Sequence, residues 1–309
     1  MRKRIAWIAL AAVVAAAVST TAGVAALAGR ITADGSSTVG PFTAAAAEMF
    51  QRRNRAVQVT VGISGTGGGF ERFCRNEIDL ANASRPIRAS EHAQCLENGV
   101  RWLAMTVAND GIALVVNRSN TWANCLTVAE LRKIWDTGSR VDNWRDVRAG
   151  FPNVPLELFG AGTDSGTFDF FTEAINGRAR RSRSDYTASE NDNVLVQGVS
   201  GERGALGYFG LSYYEENKGR LKLLRVDGGN GCVAPNVATV QSKRYKPLSR
   251  PLFIYAKRAS FTRPEVRAFL GFVLNNQKAI ATRARFVPLT ARQARGQRVR
   301  YVQALRTVR

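Results

Sequence analysis

Apolar and polar residues alternate along Val57-Gln58-Val59-Thr60-Val61-Gly62-Ile63, the period-two pattern of a strand with one buried face. Just before it, Phe42, Ala45, Ala46, Met49 and Phe50 recur at helical spacing. Ile112-Ala113-Leu114-Val115-Val116 is apolar throughout, as in a strand covered on both faces. Val128 to Trp135 predicts a short amphipathic helix. Leu156 to Gly160 predicts a strand, followed by a helix through Phe168, Phe171 and Ile175. Ala205 to Phe209 and Leu252 to Ala256 predict two more strands, and Pro264 to Gln277 a helix with Thr262 as its N-cap. Such alternation predicts an α/β protein with mostly parallel sheets. There is no internal repeat and no Pro/Ser or low-complexity tether. Two lobes would therefore be joined by strands, crossing outward at Met105 to Asp110 and returning at Cys232 to Val240.

The chain begins differently. Met1-Arg2-Lys3-Arg4 is a positive stretch, Ile5 to Val18 is almost unbroken Ala/Val/Ile, and Ala26-Leu27-Ala28 offers small residues at a cleavage site. Residues 1–28 are read as an export signal. The competing reading is an uncleaved membrane anchor, because apolar character continues past Ser19-Thr20-Thr21. No Cys stands near this end for lipid attachment, and no other long apolar run occurs. The expected location is periplasmic or secreted, with membrane anchoring as the alternative.

With 309 residues and a hydrophobic fraction of 45%, the chain can build one large or two medium cores. Four cysteines after an export signal read as two disulfides in an oxidising compartment. Of the three pairings, Cys74–Cys95 with Cys125–Cys232 is favoured, since the first closes a short loop and could stabilise by about 3 kcal/mol. With no Cys-x-x-Cys pair and one histidine, His92, no metal site and no cofactor are expected.

The charge is formally +20, from 44 Lys+Arg against 24 Asp+Glu. Losing Arg2, Lys3 and Arg4 with the leader leaves +17. Basic runs such as Arg178 to Arg183 and Arg292 to Arg309 lack the interleaved aromatics of single-strand binders. A solvated basic surface that concentrates small anions is the expectation, with no nucleic-acid partner.

Three strand-to-helix junctions share one composition: Asp34-Gly35-Ser36-Ser37-Thr38, Ser64-Gly65-Thr66-Gly67-Gly68-Gly69, and Gly160-Ala161-Gly162-Thr163-Asp164-Ser165-Gly166-Thr167. A helix start leaves N–H groups unpartnered and carries partial positive charge. Glycines allow close backbone approach and hydroxyls add donors, so each junction is an anion site in waiting. Singly, each is also what an ordinary N-cap looks like. None fits a nucleotide P-loop or a dinucleotide fingerprint.

These three runs, together with Ile78-Asp79-Leu80-Ala81-Asn82-Ala83-Ser84-Arg85-Pro86 and Gly204 to Phe209, resemble the phosphate-binding protein of bacterial phosphate ABC transporters across residues 31–260. The resemblance implies a type II periplasmic-binding-protein fold: two α/β lobes with helices on both faces and ligand in the interlobe cleft. Lobe 1 is expected at 29–108 plus 233–309 and lobe 2 at 109–232. It implies a monomer that holds inorganic phosphate and presents it to a membrane permease. Carried over by position, the ligands are Ser37, Thr38 and the Val39 amide, Thr66 with Gly67, and Ser165-Gly166-Thr167. Two positions depart: Ala161 stands where many members carry an Arg, and Ser84 where many carry a ligand Asp. Arg85 is expected to supply the missing cation, and Asp164 or Asp34 the missing acceptor. Sulfate, arsenate or phosphite are the alternative ligands.

A secreted phosphatase-like enzyme is the rival class. Asp164-Ser165-Gly166 looks superficially like a serine-nucleophile site, but only His92 could act as base and clustered metal ligands are missing. A charge-driven surface-interaction protein is the third class. The expectation is a binder, not an enzyme.

Overall fold

The computed structural model describes residues 27–306, so the expected export signal falls almost wholly outside the described residues. Its strands are β1 (Gly29–Gly35), β2 (Val57–Val61), β3 (Leu80–Ala83), β4 (Trp102–Asn117), β5 (Cys125–Thr127) and β6 (Glu157–Ala161). There follow β7 (Thr187–Ser189), β8 (Ala205–Gly210), β9 (Leu221–Leu223), β10 (Arg225–Asp227), β11 (Cys232–Val233) and β12 (Ser249–Lys257). The main sheet runs β2-β1-β3-β12-β4-β8-β6-β7, with β9 also on β4.

β4 joins the expected crossing at Met105 to Asp110 and the expected strand at Ile112 to Val116 into 16 continuous residues. Pairing is parallel within β1-β2-β3 and within β6-β7-β8. It is antiparallel where β12 lies between β3 and β4, and where β8 and β9 flank β4. The sheet is mixed and not mostly parallel as expected, because one long strand leads out of the first half and another must run back beside it.

Alternate residues of these strands feed opposite faces. Ile254 and Ala256 enter a cluster with Ile31, Phe42, Phe50 and Phe269, while Tyr255 enters one with Phe70, Phe73 and the half-cystines Cys74 and Cys95. Further along β4, Ile112, Leu114 and Val116 face a cluster holding Trp135 and Phe171, and Ala113 and Val115 face Leu195, Val199 and Phe209. Both faces are covered by helices, which explains the unbroken apolar run.

Both expected disulfides, Cys74–Cys95 and Cys125–Cys232, are formed. The second ties β11 to β5 in a small sheet ordered β11-β10-β5. Val240, Tyr245 and Leu248 pack in the cluster that holds Trp135 and Phe171, and Tyr245 Oη donates to the Ile112 carbonyl at 2.7 Å. The strand that runs antiparallel beside both β3 and β4 is β12.

Thr262 is not the expected cap. Its hydroxyl donates to the Ala259 carbonyl within a 3-10 turn, Ala259–Thr262, and the helix Pro264–Asn275 starts after Arg263 without a side-chain cap. Pro264 suits a first helical position, where its missing N–H costs nothing. Gln277 opens a separate helix, Gln277–Arg283.

Candidate functional site

Two crossing strands put a cation where the junctions meet. Arg250 of β12 stands in register opposite Asp110 of β4, and both are almost fully buried. The Arg250 guanidinium donates to Asp110 Oδ2 from Nε at 3.3 Å and from Nη2 at 3.2 Å. It also reaches across the cleft between halves: Nη2 donates to Thr167 Oγ1 at 2.8 Å and Thr38 Oγ1 at 3.2 Å, and Nη1 to the Gly166 carbonyl at 3.2 Å. Thr38 Oγ1 and Thr167 Oγ1 lie 2.9 Å apart.

The three junction runs stand at the starts of helices. Ser37, Thr38 and Val39 form the turn between β1 and the helix Gly40–Gln51, where the Val39 amide donates to the Ser36 carbonyl at 3.1 Å. Thr66 and Gly67 open the helix Gly65–Cys74, and the Gly67 amide donates to the Asp164 carbonyl at 2.9 Å. Ser84 follows β3, its hydroxyl 3.3 Å from Thr66 Oγ1. Ser165 caps the helix Gly166–Asn176, accepting from the Thr167 amide at 3.0 Å. The other two helices have no side-chain cap bond at Val39 or Ser64, so other groups must satisfy their first-turn amides.

The third helix is held by aromatic packing. Phe171 stacks on Tyr208 with centroids 3.8 Å apart, and Trp135 meets both edge-on. Gly177, at φ +80°, ends it in the left-handed conformation that glycine takes without strain. At the other end, a Cβ on Gly166 would lie 2.5 Å from both Ser84 Oγ and Thr66 Oγ1. Gly166→Ala is expected to force these hydroxyls apart and to weaken anion binding about tenfold by calorimetry, the scale of an overpacked site.

Arg85 is not among these donors. Its Nη1 and Nη2 pair with Glu91 at 2.8 and 2.6 Å, its Nε pairs with Asp169 at 2.6 Å, and its guanidinium lies over Phe70. Neighbouring carboxylates of the right geometry have taken the fork that the sequence assigned to the anion. The two expected acceptors also face elsewhere. Asp34 accepts from the Gly35 amide at 2.7 Å and pairs with Arg72. Asp164 is exposed, and its carbonyl accepts from the Gly67 amide of the facing helix start.

Two carboxylates that sequence reasoning missed face Arg250 instead: Asp110 and Asp192. Asp192 opens the helix Asp192–Gly201 and is fully buried, accepting from Ser37 Oγ at 3.3 Å and the Gly210 amide at 3.4 Å. Burial pushes its carboxyl up to about 7, against the opposing pull of the Gly210 amide, Arg250 and Ser37, while Asp110 pushes it further up. Burial also raises Asp110, against the pull of Arg250. The available signal was a charge interrupting an apolar run, Asp110 within Val107 to Val116 and Arg250 ahead of Leu252 to Ala256.

A carboxyl raised on folding contributes stability that is complete below its unfolded pKa and lost as pH rises through the folded one. The Asp192 contribution should therefore fall between about pH 4 and pH 7, with a slope of up to about 1.4 kcal/mol per pH unit. Asp192→Asn should flatten that part of a pH series of chemical-denaturation curves, and an unchanged slope would count against the assignment.

Among the described residues, Ser165 and His92 form no nucleophile–base pair. Ser165 Oγ is a helix cap, and His92 packs edge-on against Trp102 on the first half. Among the described residues no group of three or more His, Cys, Asp or Glu could hold a metal, and no helix is long and apolar enough to cross a membrane.

The PBP superfamily domain profile matches residues 20–277. The chain is 51% identical over 265 residues to Protein SphX of Synechococcus elongatus, covering 85% of this chain and 78% of that protein. It is 36% identical to the Phosphate-binding protein PstS of Staphylococcus saprophyticus, covering 84% of this chain and 81% of that one. A crystal structure described as a "possible phosphate binding protein" from Planctomyces limnophilus superposes with a TM-score of 0.67 at 48% identity, covering 90% of this chain and 99% of that one. The two-lobed architecture, the hydroxyl-rich junctions and these likenesses agree: the chain belongs to the phosphate-binding protein family of the PBP superfamily, a family of substrate-binding proteins and not of enzymes.

Proposed function

We propose that the chain binds inorganic phosphate in the cleft between its halves and delivers it, as an exported monomer, to the membrane permease of an ABC importer. The carrying observation is the convergence of Arg250 with Thr38 and Thr167 at the start of two helices from opposite halves. A tetrahedral oxyanion needs donors from several directions, and this arrangement brings together hydroxyls, helix starts and one buried guanidinium. Thr66, Gly67, Ser84 and Ser165 complete the ligand set. In this reading Arg250 takes the role first given to Arg85, and the lobes are 29–108 plus 249–309 and 109–248.

The ligand enters between separated halves and the closed form presents it, so binding shifts an open–closed population toward the form the permease recognises. Titration calorimetry with phosphate and sulfate at pH 6 and pH 8 tests this. One phosphate per chain with much weaker sulfate binding is expected. Equal affinity for both would make the chain a general oxyanion binder, and no heat with either would end the proposal.

A further inference from the structure

After Glu265 the chain has 44 residues with ten Lys or Arg and no Asp or Glu. Its last described element is the helix Ala291–Arg306, which is held to the first half by one face only. Tyr301 and Ala304 are buried there, Tyr301 Oη donates to the Arg267 carbonyl at 2.6 Å, and Gln297 accepts from the Thr106 amide at 3.1 Å. The opposite face carries Arg292, Arg295, Val299, Val302 and Arg306, all exposed. Their 3- and 4-residue spacing puts them in one straight row, about 21 Å long at 1.5 Å per residue.

Arg52, Arg148, Arg263 and Arg283 each pair with a glutamate. No carboxylate among the described residues pairs with Arg292, Arg295 or Arg306, or with the flanking Arg298 and Arg300. The two valines are about half exposed, at 51% and 48%, in the middle of the row. A solvated face needs no apolar pair in line with its cations.

We propose that this face is a docking surface for the anionic phospholipid headgroups of a bilayer. The helix would lie flat in the interface, with Val299 and Val302 dipping into the headgroup boundary and the guanidinium groups on lipid phosphates. Charge complementarity selects an anionic partner. The central valines favour a planar lipid surface over a nucleic acid, whose contacts would call for polar donors along the row. A protein held near the membrane in this way has its permease within short reach, whatever anion fills its cleft.

Flotation of the chain from Gly29 onward, which contains every buried residue of all four clusters, provides the test. Vesicles of phosphatidylcholine are compared with and without phosphatidylglycerol, at low and raised salt. The parent should float only with the phosphatidylglycerol vesicles, less so as salt rises. Arg292→Gln/Arg295→Gln/Arg306→Gln should lower that partitioning about 100-fold, with the melting curve and phosphate affinity unchanged. Val299→Ser/Val302→Ser should weaken binding and leave its salt dependence as it was. The proposal fails if the parent does not float, or if the triple variant floats equally well. It also fails if the triple substitution abolishes binding to duplex DNA while leaving vesicle binding intact, because the row would then be a nucleic-acid face.

Discussion

Replacing Arg250 with methionine should lower phosphate affinity about 100-fold in titration calorimetry, and lower the stability of the ligand-free protein too. Arg250 is the cation that touches Thr38, Thr167 and the Gly166 carbonyl at the junction of both halves. Hydrogen bonds to a charged group contribute about 1.5–3 kcal/mol, and 100-fold corresponds to roughly 2.7. The stability loss has a separate source, because methionine leaves Asp110 buried without its partner, a defect of about 3–5 kcal/mol. The double variant Arg250→Met/Asp110→Asn separates the two. It should regain most of the denaturation midpoint and none of the affinity. Arg250→Lys should fall between, keeping the charge but losing the planar fork that spans two hydroxyls. If the double variant bound phosphate like the parent, Arg250 would be a structural residue only.

The elements were legible because their periods are strong. The Phe42–Phe50 face, the Val57–Val61 alternation and the doubly covered Ile112–Val116 run all stand where the pattern put them. The junction residues were legible too, since a hydroxyl or glycine at a helix start is a local feature. The sheet's mixed sense was not, because strand direction depends on which chain segments become neighbours. The same holds for Cys232 to Leu248. Its attachment to the second half comes from a disulfide between cysteines 107 residues apart and from Tyr245 reaching Ile112. Arg85 and Arg250 show the limit most directly. Arg85 stood next to the altered ligand position, and proximity along the chain made it the natural cation. Its fork is occupied by Glu91 and Asp169, the latter 84 residues away. Arg250 lies 140 residues from Asp110 in sequence and directly opposite it in the sheet.

The pairing of Arg85 leads to the second large expected effect. Asp169 sits in the first turn of the helix Gly166–Asn176 on the second half, nearly fully buried. Arg85 and Arg88, both from the first half, converge on its Oδ2, and Arg180 approaches Oδ1 at 3.6 Å. These ion pairs span the cleft beside Ser84 and Thr167, and in the proposed mechanism they hold the closed form. Asp169→Asn should therefore weaken phosphate binding about 100-fold, since removing one member of a buried pair costs about 3 kcal/mol or more. The loss should appear in the dissociation rate, because three freed arginines still attract the incoming anion. Small-angle scattering should show a larger radius of gyration for the ligand-free variant. Arg85→Met should give the same changes, and the double variant less than their sum. A direct contact between Arg85 and the anion predicts otherwise: Arg85→Met would lose affinity while Asp169→Asn kept it. Equal losses with sub-additive coupling would identify the pair as the closure contact, and unchanged affinity in Asp169→Asn would remove it from the mechanism.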